Sequence, residues 1–96
     1  MDITNHLDRF FAGISVDARI SVTHISVFTA ILQTAGRLGS STLSMFGFEL
    51  MQLAKISSGK TYYRTVRELS EFGYIVYEPS FKKNRPSTIT LPEQSV

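Results

Sequence analysis

Residues 49–75, ELMQLAKISSGKTYYRTVRELSEFGYI, are the stretch that decides the fold of this 96-residue chain. Apolar side chains recur at helical spacing on both sides of a polar SSG turn, which predicts two helices, over residues 48–56 and 59–72. The Ser58 hydroxyl is placed to accept a hydrogen bond from an unpaired amide in the first turn of the second helix. Gly73 is placed to end that helix, because glycine adopts the left-handed conformation without steric cost. We therefore predict a pair of helices joined by a short turn.

The period of the apolar pattern changes after this pair of helices. Residues 74–77 and 88–91 are rich in β-branched and aromatic side chains, which is typical of strands. Residues 80–87, SFKKNRPS, lie between these two segments and are polar and basic. We therefore predict a β-hairpin with a long basic tip.

Two further amphipathic helices are predicted in the first half of the chain, over residues 3–14 and 21–35. The predicted cap and end are Thr4 and Gly13 for the first helix, and Thr23 and Gly36 or Gly39 for the second. Residues 36–44 are rich in Gly, Ser and Thr, which predicts a loop with room for a short strand over residues 42–45.

The first of these helices carries a bulky apolar stripe that includes Leu7, Phe10 and Phe11. Such a stripe must be covered, either by the rest of the domain or by a second copy of the chain. Packing on its own domain is the favoured alternative. The other alternative is a homodimer in which Leu7, Phe10 and Phe11 form the interface.

The charges are divided unequally along the chain, whose formal net charge is +2. Residues 1–54 carry three basic and four acidic side chains, whereas residues 55–91 carry seven basic and three acidic ones. An anionic partner such as nucleic acid would therefore bind the second half of the chain.

Length and composition exclude several classes of protein. We predict one domain, residues 1–96, with a helical extension over 1–20, a core over 21–91 and a tail over 92–96. The sequence has no cysteine, which excludes disulfides, thiolate zinc sites and a cysteine nucleophile. No apolar run approaches the ~18 residues of a membrane span, and no basic and apolar leader is visible. We therefore expect a cytoplasmic protein that does not enter a membrane.

The order of the predicted elements is helix, helix, short turn, helix and basic hairpin. This order, together with the run ELMQLA, the SSGKT turn and the run REL followed by GYI, resembles the winged helix-turn-helix family of DNA-binding domains. The resemblance covers residues 49–91. It implies an α+β fold that is mainly helical, with a three-helix core, a C-terminal wing and an additional N-terminal helix. It also implies that residues 59–72 enter the major groove of double-stranded DNA and that residues 80–87 contact the backbone or minor groove.

The resemblance implies two sets of DNA-binding residues. The set on the second helix of the pair is Ser58, Lys60, Thr61, Tyr63, Arg64 and Arg67. The set on the wing and backbone side is Lys55, Lys82, Lys83 and Arg85. Arg64 is the first candidate for reading a base, because an arginine can donate to O6 and N7 of one guanine together. The implied function is a non-catalytic, sequence-specific transcriptional regulator.

Other roles for these residues stay open. Arg64 with Glu68, and Arg67 with Glu71, have the spacing of ordinary surface ion pairs. Basic residues in the hairpin can also protect a sheet edge from aggregation. The alternative functions are an accessory DNA-binding factor of recombination or replication, and a winged helix that binds another protein.

Three further features of the sequence bear on nucleotide binding, metal binding and catalysis. Residues 54–61, AKISSGKT, match a loose nucleotide-binding pattern, but a predicted helix precedes them and they contain a single glycine, so we expect no nucleotide. His6 and His24 are far apart and lack ligand spacing, so we interpret each as a helix-end or surface histidine and expect no metal. No paired carboxylates suit acid–base chemistry, so we expect no catalytic residue, no cofactor and no enzyme activity.

Overall fold

Four helices and three strands form within residues 2–80 and 85–92, the part of the chain that the computed structural model describes. In chain order they are α1 (Ile3–Ile14), α2 (Val22–Leu38), β1 (Thr42–Met45), α3 (Gly47–Ala54), α4 (Gly59–Glu71), β2 (Val76–Glu78) and β3 (Ser87–Thr90). The fold is therefore mixed, with four helices packed on one another and a small antiparallel sheet that contacts α2 and α4.

The start of α1 is set by Asp2. Its carboxylate accepts a hydrogen bond from the amide of Asn5 at 3.0 Å, which satisfies one of the unpaired amides of the first turn. The prediction that Thr4 caps α1 is wrong, because Thr4 already lies inside the helix. Gly13 also lies inside α1, which continues to Ile14.

The bounds of α2 are set by Ser21 and Gly39. The amide of Ser21 donates to Nδ1 of His24 at 3.0 Å, so the helix begins before Thr23, the cap that the sequence predicts. Gly39 ends α2 in the left-handed conformation, with a φ of 68°. The prediction of Gly39 as the end of this helix is confirmed, and that of Thr23 as its start is wrong.

The sheet has the order β1, β3, β2, and both pairings are antiparallel. The predicted hairpin is the β2–β3 pair, and the short strand predicted over residues 42–45 is β1. The sequence does not predict that β1 pairs with β3. In that pairing Leu43 lies opposite Ile89, and both side chains are buried, so the alternation along each strand delivers one apolar residue to the core.

The core is centred on α2, which packs against α1, α3, α4 and β1. Val27, Ile31 and Ala35 on this helix are fully buried. The face that α4 turns toward them carries Tyr62, Val66 and Leu69, all of which are buried. Ile75 directly precedes the β2–β3 hairpin and Leu91 directly follows it, and both side chains are buried in the core.

Phe10 belongs to the core of its own chain. Its ring stacks on Phe28 with centroids 3.9 Å apart, and it meets Tyr74 edge-on at 5.3 Å. Because Phe10 is only 3% exposed, it packs on its own domain, as the favoured alternative has it, and is not available to a dimer interface. Leu7 is half-buried against the same core, and Phe11, 45% exposed, keeps a free surface. Helix α1 thus packs on its own domain.

A polar cluster ties the loop after α1 to the end of α4. The guanidinium of Arg19 donates twice to the carboxylate of Asp17, each time at 2.8 Å, and the hydroxyl of Tyr74 donates to the same carboxylate at 2.7 Å. Arg19 also lies over the ring of Phe72, 3.9 Å from its centroid. The bonds from Arg19 and then Tyr74 hold the pKa of Asp17 well below its usual range. Burial, followed by the bond to Asp17, raises the pKa of Tyr74 to about 12.

Candidate nucleic-acid interface

The turn between α3 and α4 begins two residues earlier than the sequence predicts. Helix α3 ends at Ala54, because Lys55 adopts a left-handed conformation with a φ of 61°. The amide of Ile56 then donates to the carbonyl of Met51 at 3.0 Å, a bond typical of helices that end on a left-handed residue. Among residues 2–80 and 85–92, Lys55 is the one non-glycine residue with a positive φ.

Helix α4 begins and ends close to the predicted positions. The amide of Thr61 donates to the Ser58 hydroxyl at 3.2 Å, so the prediction of Ser58 as the cap is confirmed. At the other end, Gly73 takes a φ of 88° two residues after the last helical residue, Glu71. A turn of four residues, 55–58, therefore separates α3 from α4.

Three cations form a row on the exposed face of α4. Lys60, Arg64 and Arg67 are all exposed and follow one another at spacings of four and three residues, so they share the side of the helix opposite the core. Like charges at these spacings destabilise a helix by roughly 0.2–0.5 kcal/mol per pair. This row, hereafter the cation row, therefore does not contribute to the stability of α4.

The cation row is not neutralised within the described residues. Of the two close contacts there between basic and acidic side chains, one joins Nε2 of His24 to Oε1 of Glu68 at 3.0 Å, and the other involves no residue of α4. The pairs of Arg64 with Glu68 and of Arg67 with Glu71 are therefore not formed in this part of the chain. His24 is 6% exposed and lies in the first turn of α2, so of the two interpretations of this histidine the structure supports the helix end.

Thr61 and Tyr63 lie on opposite flanks of the cation row rather than within it. Thr61 is half-buried. Tyr63 is exposed, but its ring meets Tyr62 edge-on at 5.1 Å, and its hydroxyl lies against the start of α3. A Cβ added to Gly47 would be 2.8 Å from that hydroxyl. Tyr63 therefore keeps an exposed ring while its hydroxyl packs beside α3.

The β2–β3 hairpin is joined to α4 by Tyr77, whose amide donates to the hydroxyl of Ser70 at 3.2 Å. This bond sets the position of β2 relative to the cation row. Arg85, just before β3, is exposed. Two other predicted residues of the hairpin, Lys82 and Lys83, lie outside the described residues.

A pair of exposed aromatic rings lies at the start of α3. Phe46 and Phe48 stack with centroids 5.8 Å apart, and Phe48 is 62% exposed. A groove of about 430 Å³ runs beside Phe48, between Met51 and Ile56. The sequence carries no periodic signal for this patch, because α3 is short and apolar on more than one face.

Metal ligation and membrane insertion place their own requirements on the described residues. Within 2–80 and 85–92, no three His, Asp or Glu side chains lie close enough together to hold a metal ion. None of the helices there has both the length and the apolar character that a membrane span requires.

Comparisons of the chain with protein-family models, with curated proteins and with solved structures found no match. The case for a function therefore depends on the residues and the geometry described above.

Proposed function

We propose that this chain is a winged helix-turn-helix protein that binds double-stranded DNA without catalysing a reaction, and that it acts as a sequence-specific transcriptional regulator. The order α2, β1, α3, α4, β2, β3 supports the winged-helix assignment. In this proposal α4 is the recognition helix in the major groove, and the β2–β3 hairpin is the wing on the backbone or minor groove.

The cation row is the observation that carries the proposal. Lys60, Arg64 and Arg67 project from one face of α4, and no acidic partner among the described residues neutralises them. A duplex supplies the missing anions as closely spaced phosphates, and neutralising them releases bound counterions. In the complex, attraction to the phosphates thereby offsets the repulsion within the cation row.

The proposed roles differ along the surface. Arg64, at the centre of the row, would read a base, because its planar guanidinium can donate to two acceptors of one guanine. Lys60 and Lys55 on the turn side, and Arg85 on the wing side, would bind phosphates and set the position of α4 on the duplex. Ser58 is already engaged as the cap of α4, which leaves its hydroxyl a secondary role.

Fluorescence anisotropy with labelled duplexes tests this proposal. With about four phosphate contacts per chain, a plot of log affinity against log salt should have a slope of roughly −3 to −4. Arg64→Ala should weaken the preferred duplex by roughly 5- to 150-fold and relax sequence preference, since a bidentate contact is worth about 1–3 kcal/mol. Arg85→Ala should weaken binding to all duplex sequences about equally, and it should make the salt slope shallower by about one.

Arg37→Ala is the charge-matched control. Arg37 is exposed in the last turn of α2, beside α1, and its removal changes the net charge by the same amount as the loss of Arg64. It should leave sequence preference unchanged. Binding that does not depend on salt, or no binding to any duplex, would contradict the proposal. Selection from a random pool then separates the two DNA-binding alternatives: a palindromic site favours a regulator, and direct repeats favour an accessory factor.

A winged helix that binds another protein is the second candidate, and the exposed pair Phe46 and Phe48 favours it. Exposed aromatic side chains beside a groove are frequent anchors of protein interfaces. Phe48→Ala distinguishes the two candidates. It should leave duplex affinity unchanged if DNA is the partner of the cation row, and it should abolish binding of a protein partner if the aromatic pair is the functional surface.

A further inference from the structure

We infer that His24 is a positioning residue for DNA binding: it holds the carboxylate of Glu68 away from Arg64 and so keeps the Arg64 guanidinium free for the duplex. This inference depends on the proposed function for its biological meaning. The contact between His24 and Glu68 that carries it is a feature of the structure itself.

Both ring nitrogens of His24 have hydrogen-bond partners. The amide of Ser21 donates to Nδ1 at 3.0 Å, and the Ser21 hydroxyl lies 2.9 Å from the same nitrogen. Because Nδ1 accepts from the amide, the neutral ring carries its proton on Nε2. Nε2 then donates to Oε1 of Glu68 at 3.0 Å. Because the imidazole is buried and is fixed on both sides, it cannot turn away from Glu68 without leaving a buried polar atom unpaired.

Glu68 is the acidic residue with the spacing to pair with Arg64. The two are four residues apart on α4, the separation at which side chains on a helix meet. In the structure the carboxylate instead contacts α2, and the described residues contain no ion pair of Arg64. If the bond to His24 were lost, Glu68 would be free to swing toward Arg64, where it would compete with phosphate for the guanidinium.

His24→Asn tests the inference with little disturbance of the fold. The side-chain oxygen of asparagine is the same number of bonds from the backbone as Nδ1 of histidine, so it can still accept from the amide of Ser21. The side chain is too short to reach Glu68. We expect duplex affinity at low salt to fall about twofold. An i, i+4 ion pair of ordinary strength between Arg64 and Glu68 would compete with phosphate for the guanidinium to about that extent. His24→Phe, which fills the same space with a ring that cannot donate, should act in the same direction.

The backgrounds Glu68→Gln and Arg64→Ala separate positioning from a merely structural role. In either background His24→Asn should no longer change duplex affinity, because no carboxylate is released or no guanidinium is left to capture. If His24→Asn weakens binding equally in all backgrounds, or leaves it unchanged beside native Glu68 and Arg64, the inference is wrong.

A measurement without DNA distinguishes failure of the inference from failure of the proposed function. The NMR signal of the Arg64 Nε–H group should be unaffected by Glu68→Gln in the native protein and should shift on the same substitution in the His24→Asn background. If this pattern is found and the native protein binds no duplex, the proposed function fails while His24 still positions Glu68. If the native Arg64 signal already responds to Glu68→Gln, the inference is overturned.

Discussion

Lys55→Gly is expected to stabilise the folded protein and to weaken its binding to DNA. Lys55 ends α3 in the left-handed conformation, with a φ of 61° and a ψ of 39°, and its side chain is exposed. The bond from the amide of Ile56 to the carbonyl of Met51 requires this conformation, so the turn cannot relax without losing it. The perturbation therefore removes strain and a charge together.

The magnitude follows from two opposing effects on the backbone. A residue with a Cβ in the left-handed conformation costs roughly 1–2 kcal/mol. Glycine removes that cost but loses more backbone entropy on folding, by about 0.5–1 kcal/mol relative to alanine. The expected net gain is therefore about 1 kcal/mol. In a domain of this length, it corresponds to an increase in Tm of about 4–8 °C.

Lys55→Ala is the matched control, because it removes the same charge and keeps the strain. Urea and thermal unfolding should show the glycine variant to be about 1 kcal/mol more stable than the alanine variant. Anisotropy titrations should show both variants with the same reduced affinity and a salt slope about one unit shallower than that of the native protein. Equal stability of the two variants would refute the strain argument. Unequal affinities would refute the assignment of Lys55 to a phosphate contact.

Three further predictions concern other parts of the structure. Asp17→Asn should lower stability at pH 7, and the difference from the native protein should shrink as the pH falls below the ordinary pKa of 3.8; urea midpoints across this range test the effect. The sign follows because the folded state depresses this pKa, so the stabilisation is complete above the unfolded value and is lost as the carboxylate becomes protonated. Phe10→Ala should cost about 3–5 kcal/mol in calorimetry or urea unfolding, whereas Phe11→Ala should change stability by less than about 0.5 kcal/mol. Ser58→Ala should destabilise the protein by about 1 kcal/mol, while Ser58→Asp should keep the cap and the stability but weaken duplex binding through repulsion of phosphate.

Local signals made most of the elements predictable. A hydroxyl before a helical pattern and a glycine after it act within one turn of the backbone, which is why Ser58 and Gly73 were identified correctly. The same reasoning failed at α1 and α2, because two capping candidates stand close together there. Asp2 and Ser21 form the caps, each two residues before the threonine that was predicted.

Contacts between distant parts of the chain could not be predicted. The bond from Tyr74 to Asp17 spans 57 positions and that from His24 to Glu68 spans 44, and neither contact leaves a periodic pattern in the sequence. The i, i+4 spacing of Arg64 and Glu68 is instead that of an ion pair, which is not formed in the part of the chain that the structure describes. Likewise, Phe10 and Phe11 are neighbours on one apolar stripe, and only the position of Phe28 decides which ring is buried.

Two unfavourable features coincide in the segment from α3 to α4, and folding alone explains neither. Lys55 carries backbone strain at a position where glycine would carry none, and the cation row on α4 places like charges side by side. Lys55 and the residues of the cation row are all exposed, so the strain and the repulsion lie at the surface of the domain rather than in its core. A polyanion that binds this surface would offset the repulsion and would use the charge of Lys55. Binding of such a partner would account for both features. Unfolding and binding measurements on the same variants can separate the effect of the backbone strain from the effect of the charges.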